Sequence, residues 1–288
     1  MKKKLLLIAA LALFVYLSDA QVTSALWGVS GEAWESENSI LRDFTDVGYM
    51  GGDVPIPDWP VAHSVTNFGA VADDGIDDSQ AFIDAIAACP DYHAVLVPKG
   101  QFTILQKITV TNDYVCLRGE DMYESVIFFP NKFGEIYIEE HGFDYGQSTP
   151  VYDFFFNMTG GTGKGIENLT FKCREQRMLG TWEYEGSNPV SYNSGVTDSW
   201  ARNVDFLNYA QGLQIAATRS SFINIIFDQY NGRCGTDYVS TQNTDAYGSV
   251  LVRNCSYNLF HNITVEGYVL QPIDMNEAYT HNVYSQYR

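Results

Sequence analysis

The stretch that decides the fold is residues 67–104, which read NFGAVADDGIDDSQAFIDAIAACPDYHAVLVPKGQFTI. Gly69 and Gly75 allow the positive φ angles that tight turns require. Asp77 or Asp78 is placed to cap a helix, and Pro90 helps to stop it. One apolar face at helical spacing is formed by Ala81, Phe82, Ala85, Ile86 and Ala88. The apolar run AVLV then predicts a buried strand. These features predict an acidic turn, a short helix and a buried strand, in that order.

The same stretch resembles the N-terminal signature of the pectate lyase superfamily, in its rhamnogalacturonase/epimerase-like branch. It departs from that signature at residues 72–74, where Ala-Asp-Asp replaces the usual Gly-Asp of the family. The resemblance implies an all-β fold, a right-handed parallel β-helix (solenoid) with a short N-terminal capping α-helix. The active residues of the family lie further along the chain. The matching residues are 67–70, Asp74, Gly75, Asp77, Asp78, Ala81, Phe82, Ala85, Ile86 and 97–100.

The composition limits the partners of this chain. Its 288 residues include 35 acidic and 17 basic ones, which gives a formal net charge of −18. Nucleic acids and anionic membranes are therefore poor partners, because both are negatively charged. Aromatic residues make up 14% of the chain. Exposed aromatic rings often bind sugars, although core packing explains any single ring equally well.

The N-terminus predicts a secretory signal peptide over residues 1–20. Three lysines at 2–4 precede an apolar run at 5–17, and small residues at 18–20 suit a cleavage site. The apolar run is too short for an ordinary membrane span. We therefore expect a secreted, extracellular protein with no membrane attachment after cleavage.

Two further segments complete the predicted domain organisation. Residues 21–64 form an extended leader outside the main domain, since the Pro-Ile-Pro sequence at 55–57 forces an extended backbone. Residues 65–288 form the β-helix domain. The sequence ends at Arg288 without an amphipathic segment to cap the last coil, although repeat proteins normally need such a cap. We therefore expect the sequence to be truncated at its C-terminus.

Five segments of the C-terminal half share one pattern, an asparagine followed by alternating apolar residues. The spacings between these asparagines are 35, 21, 38 and 20 residues, and the short ones equal about one turn of a β-solenoid. Stacked coils bury each other's apolar side chains, and asparagine tolerates the left-handed backbone of a sharp bend. We therefore predict an inward-facing asparagine ladder. Its members are Asn168, Asn203, Asn224, Asn262 and Asn282.

The two long spacings predict insertions at one strand position, over residues 172–189 and 228–247. Loops inserted at equivalent positions of a solenoid emerge on one face, so these two predict a shared cleft. Both mix carboxylates with aromatic residues, which suits a sugar site because rings stack on pyranoses and carboxylates bind hydroxyl groups. The substrate-binding candidates are Trp182, Tyr184, Tyr230, Arg233 and Tyr238.

Paired carboxylates are the minimal equipment for glycoside hydrolysis, one as the acid and the other as the base or nucleophile. Each candidate is also explained as a solvated loop residue. The tripeptide Asn-Thr-Asp at 243–245 matches the first catalytic motif of the polygalacturonases, but the later motifs of that family do not follow. The catalytic candidates are Glu183, Asp228, Asp237 and Asp245.

The resemblance and the predicted cleft together indicate a secreted protein that acts on an extracellular polysaccharide. A glycoside hydrolase is favoured, because an acidic face suits carboxylate catalysis. A polysaccharide lyase or an epimerase on the same fold stays open, and a lyase could use Ca²⁺ held by clustered carboxylates. No other cofactor or metal site is predicted. The competing class is a non-catalytic, glycan-binding or adhesive β-helix.

Secretion has consequences for cysteines and asparagines. The five cysteines could form structural disulfides, with one left over. Glycosylation sequons begin at Asn157, Asn168, Asn254 and Asn262. Because Asn168 and Asn262 belong to the predicted ladder, we expect glycans only on Asn157 and Asn254.

Overall fold

The chain forms a coil of short parallel strands, seen here in a computed structural model that describes eight segments. These segments are 46–130, 154–174, 189–209, 212–228, 250–253, 255–266, 273–276 and 283–287. All of them belong to the unit Thr45–Arg288. Among their helices, none is long and apolar enough to cross a membrane.

The described segments contain sixteen strands and one α-helix, α1 (Ser79–Ala87), with 3₁₀ helices at Tyr49–Gly52 and Val65–Phe68. Strands this short bury enough apolar surface only when they stack. The strands are β1 (Val61–Ser64), β2 (His93–Val97), β3 (Gly100–Thr103), β4 (Ile108–Val110), β5 (Val115–Gly119), β6 (Ser125–Phe129), β7 (Phe156–Met158), β8 (Lys164–Cys173), β9 (Val190–Tyr192), β10 (Trp200–Leu207), β11 (Leu213–Ile215), β12 (Ser221–Asp228), β13 (Val250–Arg253), β14 (Leu259–Glu266), β15 (Ile273–Asn276) and β16 (Val283–Tyr287).

The described strands pair in parallel and form two sheets. The first sheet has the order β1-β2-β5-β8-β10-β12-β14-β16, and β3 and β6 continue it beside the C-terminal half of β8. The second sheet has the order β4-β7-β9-β11-β13-β15. From β7 onward the chain alternates between the two sheets, so each coil adds one strand to both. This is the parallel β-helix that the sequence predicted.

Asparagine side chains connect successive coils at the bend within the long strands. Asn168, Asn203, Asn224 and Asn262 all have left-handed backbone, with φ between 53° and 57°. Each later Nδ2 donates to the preceding Oδ1, over 2.9, 3.0 and 2.7 Å along the column. The predicted ladder is confirmed for these four residues, and Asn282 lies outside the described part of the chain. Their predicted inward direction is wrong, because the bend is a corner of the coil and leaves them partly or fully exposed.

Aromatic rings fill the interior beside this corner. Phe171, Phe206 and Phe227 are register partners, and their rings stack with centroids 5.6 and 5.0 Å apart. Phe129 extends the stack at 6.3 Å from Phe171. All four side chains are buried. One apolar column therefore runs through four coils, as the alternating repeat pattern predicted.

The two aspartates of the signature fasten α1 to the first coil. Asp77 Oδ1 accepts the N–H of Ser79, the first residue of α1, at 3.0 Å and the N–H of Leu105 at 3.1 Å. Asp78 holds the N-cap position but makes no capping bond with its side chain. It accepts the N–H of Thr103 at 3.0 Å instead. Asp77 thus supplies the predicted cap. Both carboxylates also accept backbone N–H groups at the end of β3, from Thr103 and Leu105.

The apolar face of α1 covers the first coil. Ala81, Phe82, Ala85 and Ile86 are its buried apolar residues, as helical spacing predicted. The prediction is wrong for Ala88, which is the C-cap residue and is exposed. The ring of Phe82 packs edge-on against Phe102, with centroids 5.8 Å apart. The helix therefore shields the interior of the first coil from solvent.

Part of the predicted leader lies across the outer surface of the first sheet. We call residues 46–60 the strap. At one end, the N–H of Gly48 donates to the carbonyl of Tyr257 at 2.7 Å. At the other end, the carbonyl of Pro60 accepts the N–H of Ala94 at 2.9 Å. The strap therefore crosses the first sheet from the coil of β14 to the coil of β2.

A buried carboxylate holds the strap in place. Glu167 has no exposed surface, and it accepts hydrogen bonds from Arg118 at 2.7 Å and from Arg202. The same two guanidinium groups donate to the carbonyls of Trp59 at 2.8 Å and Pro57 at 3.5 Å. Three adjacent strands and the strap thus share one charged cluster, and removing Glu167 would deprive both guanidinium groups of the carboxylate that they share.

The described cysteines form no disulfide. Cys89, Cys116, Cys173 and Cys255 are buried thiols, and Cys234 lies outside the described residues. The expectation of structural disulfides is therefore wrong for these four. Cys89, Cys173 and Cys255 pack in the interior core as small apolar side chains. Cys116 lies beneath the strap instead, where its Sγ donates to Glu167 Oε1 at 3.1 Å.

Replacing Asn203 should separate the two contributions of the ladder. Asn203→Ala removes two hydrogen bonds and forces alanine into a left-handed backbone, so we expect the free energy of unfolding to fall by about 2 to 3 kcal/mol. Asn203→Gly removes only the hydrogen bonds, and should cost about half as much. Urea unfolding measures both values. Equal losses would contradict the backbone contribution, and wild-type stability in both variants would contradict the ladder.

Candidate active site

The two predicted insertions leave the coil from one edge. Lys172 at the end of β8 pairs with Leu207 of β10, which pairs with Asp228 at the end of β12. Both insertions begin just beyond this aligned position, so their predicted common edge is confirmed. Residues 175–188 and 229–247 within them lie outside the described part of the chain.

Three carboxylates lie on the outer face of the first sheet beside this edge. In β10, Val204 and Phe206 are buried in the core, so Asp205 between them points outward. Asp228 and Glu266 are direct register partners on β12 and β14. Asp205 lies on β10, the strand before β12, where it pairs with the residue two positions before Asp228. Strand spacing and rise per residue then put the Cα atoms of Asp205 and Asp228 about 8 Å apart. We call these three residues the carboxylate cluster.

Asp205 is the most buried member of the carboxylate cluster. It is 6% exposed, and its Oδ1 has no hydrogen-bond partner within the described part of the chain. Burial raises the pKa of Asp205 to about 7, and the charges of Asp228 and Glu266 add to the shift. The N–H of Phe206 opposes it. Near neutral pH a large fraction of Asp205 is therefore protonated.

The other two members are more open to solvent. Asp228 is partly buried, and its pKa is raised by burial and then by the charge of Glu266. Glu266 is exposed. Neighbouring carboxyl groups whose environments differ in this way can divide the roles of acid and base between them.

Uncharged and basic side chains border the carboxylate cluster. Thr170 and Ile226 flank Asp205 in register on the two adjacent strands. Lys172 lies one strand before Leu207, and its Nζ sits 5.7 Å from the centre of the Phe128 ring. Within the described segments, no group of three or more His, Cys, Asp or Glu residues is placed to hold a metal ion.

The outer face of the first sheet is closed by the strap. Trp200 is fully buried there, with Trp59 and Tyr49 of the strap edge-on to it at 4.9 and 5.2 Å. A Cβ atom on Gly165 would lie 2.4 Å from the Trp200 ring, so only glycine lets the indole lie flat on β8. The strap thus occupies the face before the asparagine bend, and the carboxylate cluster lies on the face after it.

The structure describes two of the predicted site residues. Asp228 belongs to the carboxylate cluster, and Asn157 lies in β7. Sequence reasoning missed Asp205 and Glu266 because it searched the insertions, although alternation along the strands marks both as outward-facing. The remaining predicted site residues lie outside the described part of the chain: Trp182, Glu183, Tyr184, Tyr230, Arg233, Asp237, Tyr238, Asp245 and Asn254.

Asn157 is buried on β7 of the second sheet. It is 3% exposed, its Nδ2 donates to the carbonyl of Phe154, and its Oδ1 accepts from Asn193 at 3.4 Å. A glycan on Nδ2 would have to displace the bond to Phe154 and bring a buried side chain into solvent. This geometry disfavours the predicted glycosylation of Asn157.

The chain is a right-handed parallel β-helix protein, with a carboxylate cluster on the outer face of its first sheet. Solved structures share this fold. A candidate glycosyl hydrolase from Parabacteroides merdae is 10% identical, with a TM-score of 0.55, 78% of this chain covered and 96% of the other. The surface protein and adhesin PfbA of Streptococcus pneumoniae is 16% identical, with a TM-score of 0.54 and coverages of 76% and 60%.

Other similar structures are much longer than this chain. ORF18 of Geobacillus virus E2 is 16% identical with a TM-score of 0.47, and the match covers 78% of this chain but 41% of ORF18. The chain therefore spans less than half of that protein and about three fifths of PfbA. A scan against protein-family models and a search of curated proteins found no match.

Asp205 should make stability depend on pH. The folded state holds its proton up to about pH 7, whereas an unfolded aspartate loses it near pH 4. Wild type should therefore lose stability relative to Asp205→Asn as the pH rises from about 4 to about 7, by on the order of 4 kcal/mol in total. Above that window the difference should stay constant. Urea unfolding of both proteins across this range measures it, and parallel pH profiles would contradict a raised pKa.

Proposed function

We propose that the chain is a secreted glycoside hydrolase that acts on an extracellular polysaccharide, with the carboxylate cluster as its acid–base centre. The observation that carries this proposal is Asp205, a buried carboxyl with an unpartnered oxygen and a pKa of about 7 beside a second carboxyl on the next strand. Glycoside hydrolysis requires this combination of a proton-holding acid and a neighbouring carboxylate.

The separation of the two carboxyls favours inversion at the sugar carbon. Asp205 and Asp228 leave the same face of the sheet in the same direction, so their carboxyl groups stay about as far apart as their Cα atoms, about 8 Å. Inverting glycosidases hold the two groups about 6.5 to 9.5 Å apart, with a water molecule beside the base. Asp205 then donates its proton to the leaving glycosidic oxygen. Asp228 takes a proton from the water that attacks the sugar carbon.

Glu266 acts as a positioning residue that tunes this pair. Its charge raises the pKa of both Asp205 and Asp228. A raised pKa keeps the acid protonated at the pH where the base is already ionised. The exposed position of Glu266 on the next strand lets it do so without occupying the space between them.

The two insertions would complete the cleft. Their aromatic and basic candidates Trp182, Tyr184, Tyr230, Arg233 and Tyr238 would contact sugar rings and hydroxyl groups. Glu183, Asp237 and Asp245 stay candidates for further carboxylate roles at the same edge. Since both insertions start beside Asp228, a polysaccharide held between them would lie over the carboxylate cluster.

The fold itself allows both enzymes and binding proteins. Among proteins with this fold, the Parabacteroides protein is a candidate glycosyl hydrolase and PfbA is an adhesin. The carboxylate cluster supports the hydrolase, because a purely adhesive surface gains nothing from a buried carboxyl with a raised pKa. Secretion is proposed from the signal-like residues 1–20.

Removing either carboxyl should strongly reduce turnover. A panel of plant and microbial polysaccharides, assayed for new reducing ends, identifies the substrate. On that substrate Asp205→Asn and Asp228→Asn should each lower kcat by about 10² to 10⁴. Asp84→Asn, an exposed helix position at the far end of the coil, is the matched control and should keep full activity. Unsaturated product ends would show a lyase, and binding without products would show an adhesive module.

The pH profile should respond to Glu266. If Asp205 is the acid, kcat/KM should fall as the pH rises through about 7, the pKa of Asp205. Glu266→Gln removes a charge that raises this pKa, so the alkaline limb should move to lower pH while activity at acidic pH persists. An unmoved limb would contradict the assignment of Asp205. Asp84→Asn again serves as the control for loss of an unrelated carboxylate.

A further inference from the structure

The asparagine ladder has one end within the described residues, at Asn168. Its Oδ1 accepts the Nδ2 of Asn203 at 2.9 Å. The preceding strand places Gly119 at this register position, just after Arg118 pairs with Glu167. Glycine has no side-chain amide to continue the ladder. The Nδ2 of Asn168 therefore has no hydrogen-bond acceptor among the described residues, and the residue is partly exposed.

This residue also begins a glycosylation sequon, Asn168-Leu169-Thr170. The other two described sequon asparagines use the nitrogen to which a glycan would attach. Nδ2 of Asn157 donates to the carbonyl of Phe154 inside the second sheet, and Nδ2 of Asn262 donates to Oδ1 of Asn224 at 2.7 Å. A glycan on either nitrogen would compete with an existing hydrogen bond. At Asn168 it would leave the ladder bond intact, because that bond uses the oxygen.

We propose that Asn168 is an N-glycosylation site of this protein, a role that rests on the secretion proposed above. The modification joins Nδ2 to C1 of an N-acetylhexosamine supplied by a lipid-linked glycosyl diphosphate. The N–C1 bond forms, the C1–O bond to the diphosphate breaks, and Nδ2 loses one proton. The product keeps its Oδ1 free to accept the bond from Asn203. Ladder membership and glycosylation are thus compatible at this one end.

The position gives the glycan a consequence for the proposed cleft. Asn168 lies at the corner between the strap-covered face and the face of the carboxylate cluster. Thr170, two residues further on, is the register partner of Asp205. A glycan on Asn168 would therefore stand at the rim of the cleft, on the side of the earlier coils.

Glycopeptide mapping tests the proposal directly. The full chain, preceded by a host secretion signal, is produced in a eukaryotic secreting host, and the protein from the medium is analysed site by site. We expect a glycan on Asn168 and none on Asn157 or Asn262. Secreted protein without a glycan on Asn168 overturns the proposal. That result leaves the hydrolase proposal untouched, since the reducing-end assay is independent of it.

Two matched substitutions test the hydrogen-bond argument in protein made without glycans. Asn168→Asp removes the sequon and the spare nitrogen but keeps the accepting oxygen, so its urea midpoint should equal that of wild type. Asn262→Asp removes a nitrogen that donates to Asn224, so its midpoint should fall. Equal falls in both variants would show that Nδ2 of Asn168 is engaged, and would overturn the proposal. In the secreting host, Asn168→Asp should remove the mapped glycan.

Discussion

In-register stacking of the coils is the constraint on which the rest of the structure depends. Each residue lies about 4.8 Å from the residue at the same position of the next coil, so every side chain must pack against its counterpart there. Asparagine satisfies this at the bend because its amide both accepts and donates along the column. Phenylalanine satisfies it in the interior because flat rings stack.

The corner before the strands of the first sheet meets the same constraint without one residue type common to every coil. The residues there all have positive φ, between 47° and 69°, and three of the six are tyrosines. The sequence reveals the asparagine corner because the same amide recurs in each coil, and hides this one because only the backbone angle is common to all six. Its members are Tyr92, Tyr114, Gly163, Asp198, Arg219 and Tyr257.

The candidate site likewise has a part that the sequence predicts and a part that only the structure shows. The signature at residues 67–104 predicts the fold, and the spacing of the asparagines predicts the edge from which the insertions leave. Asp228 could be found because it stands at the start of an insertion. Asp205 could not, because its pKa depends on Asp228 and Glu266 in the next two coils, and only the strand register shows that they are close.

Glu167 and Asp205 show how the strand register determines the role of a buried carboxyl. Both lie on the outer side of adjacent strands, and both are almost fully removed from solvent. The register partners of Glu167 are Arg118 and Arg202, whose guanidinium groups neutralise it and bind the strap. The register partners of Asp205 are uncharged, and the described charges that shift its pKa are other carboxylates, so burial and repulsion both favour its protonated form. A carboxyl in the first setting serves structure, whereas one in the second holds a proton that it can give away.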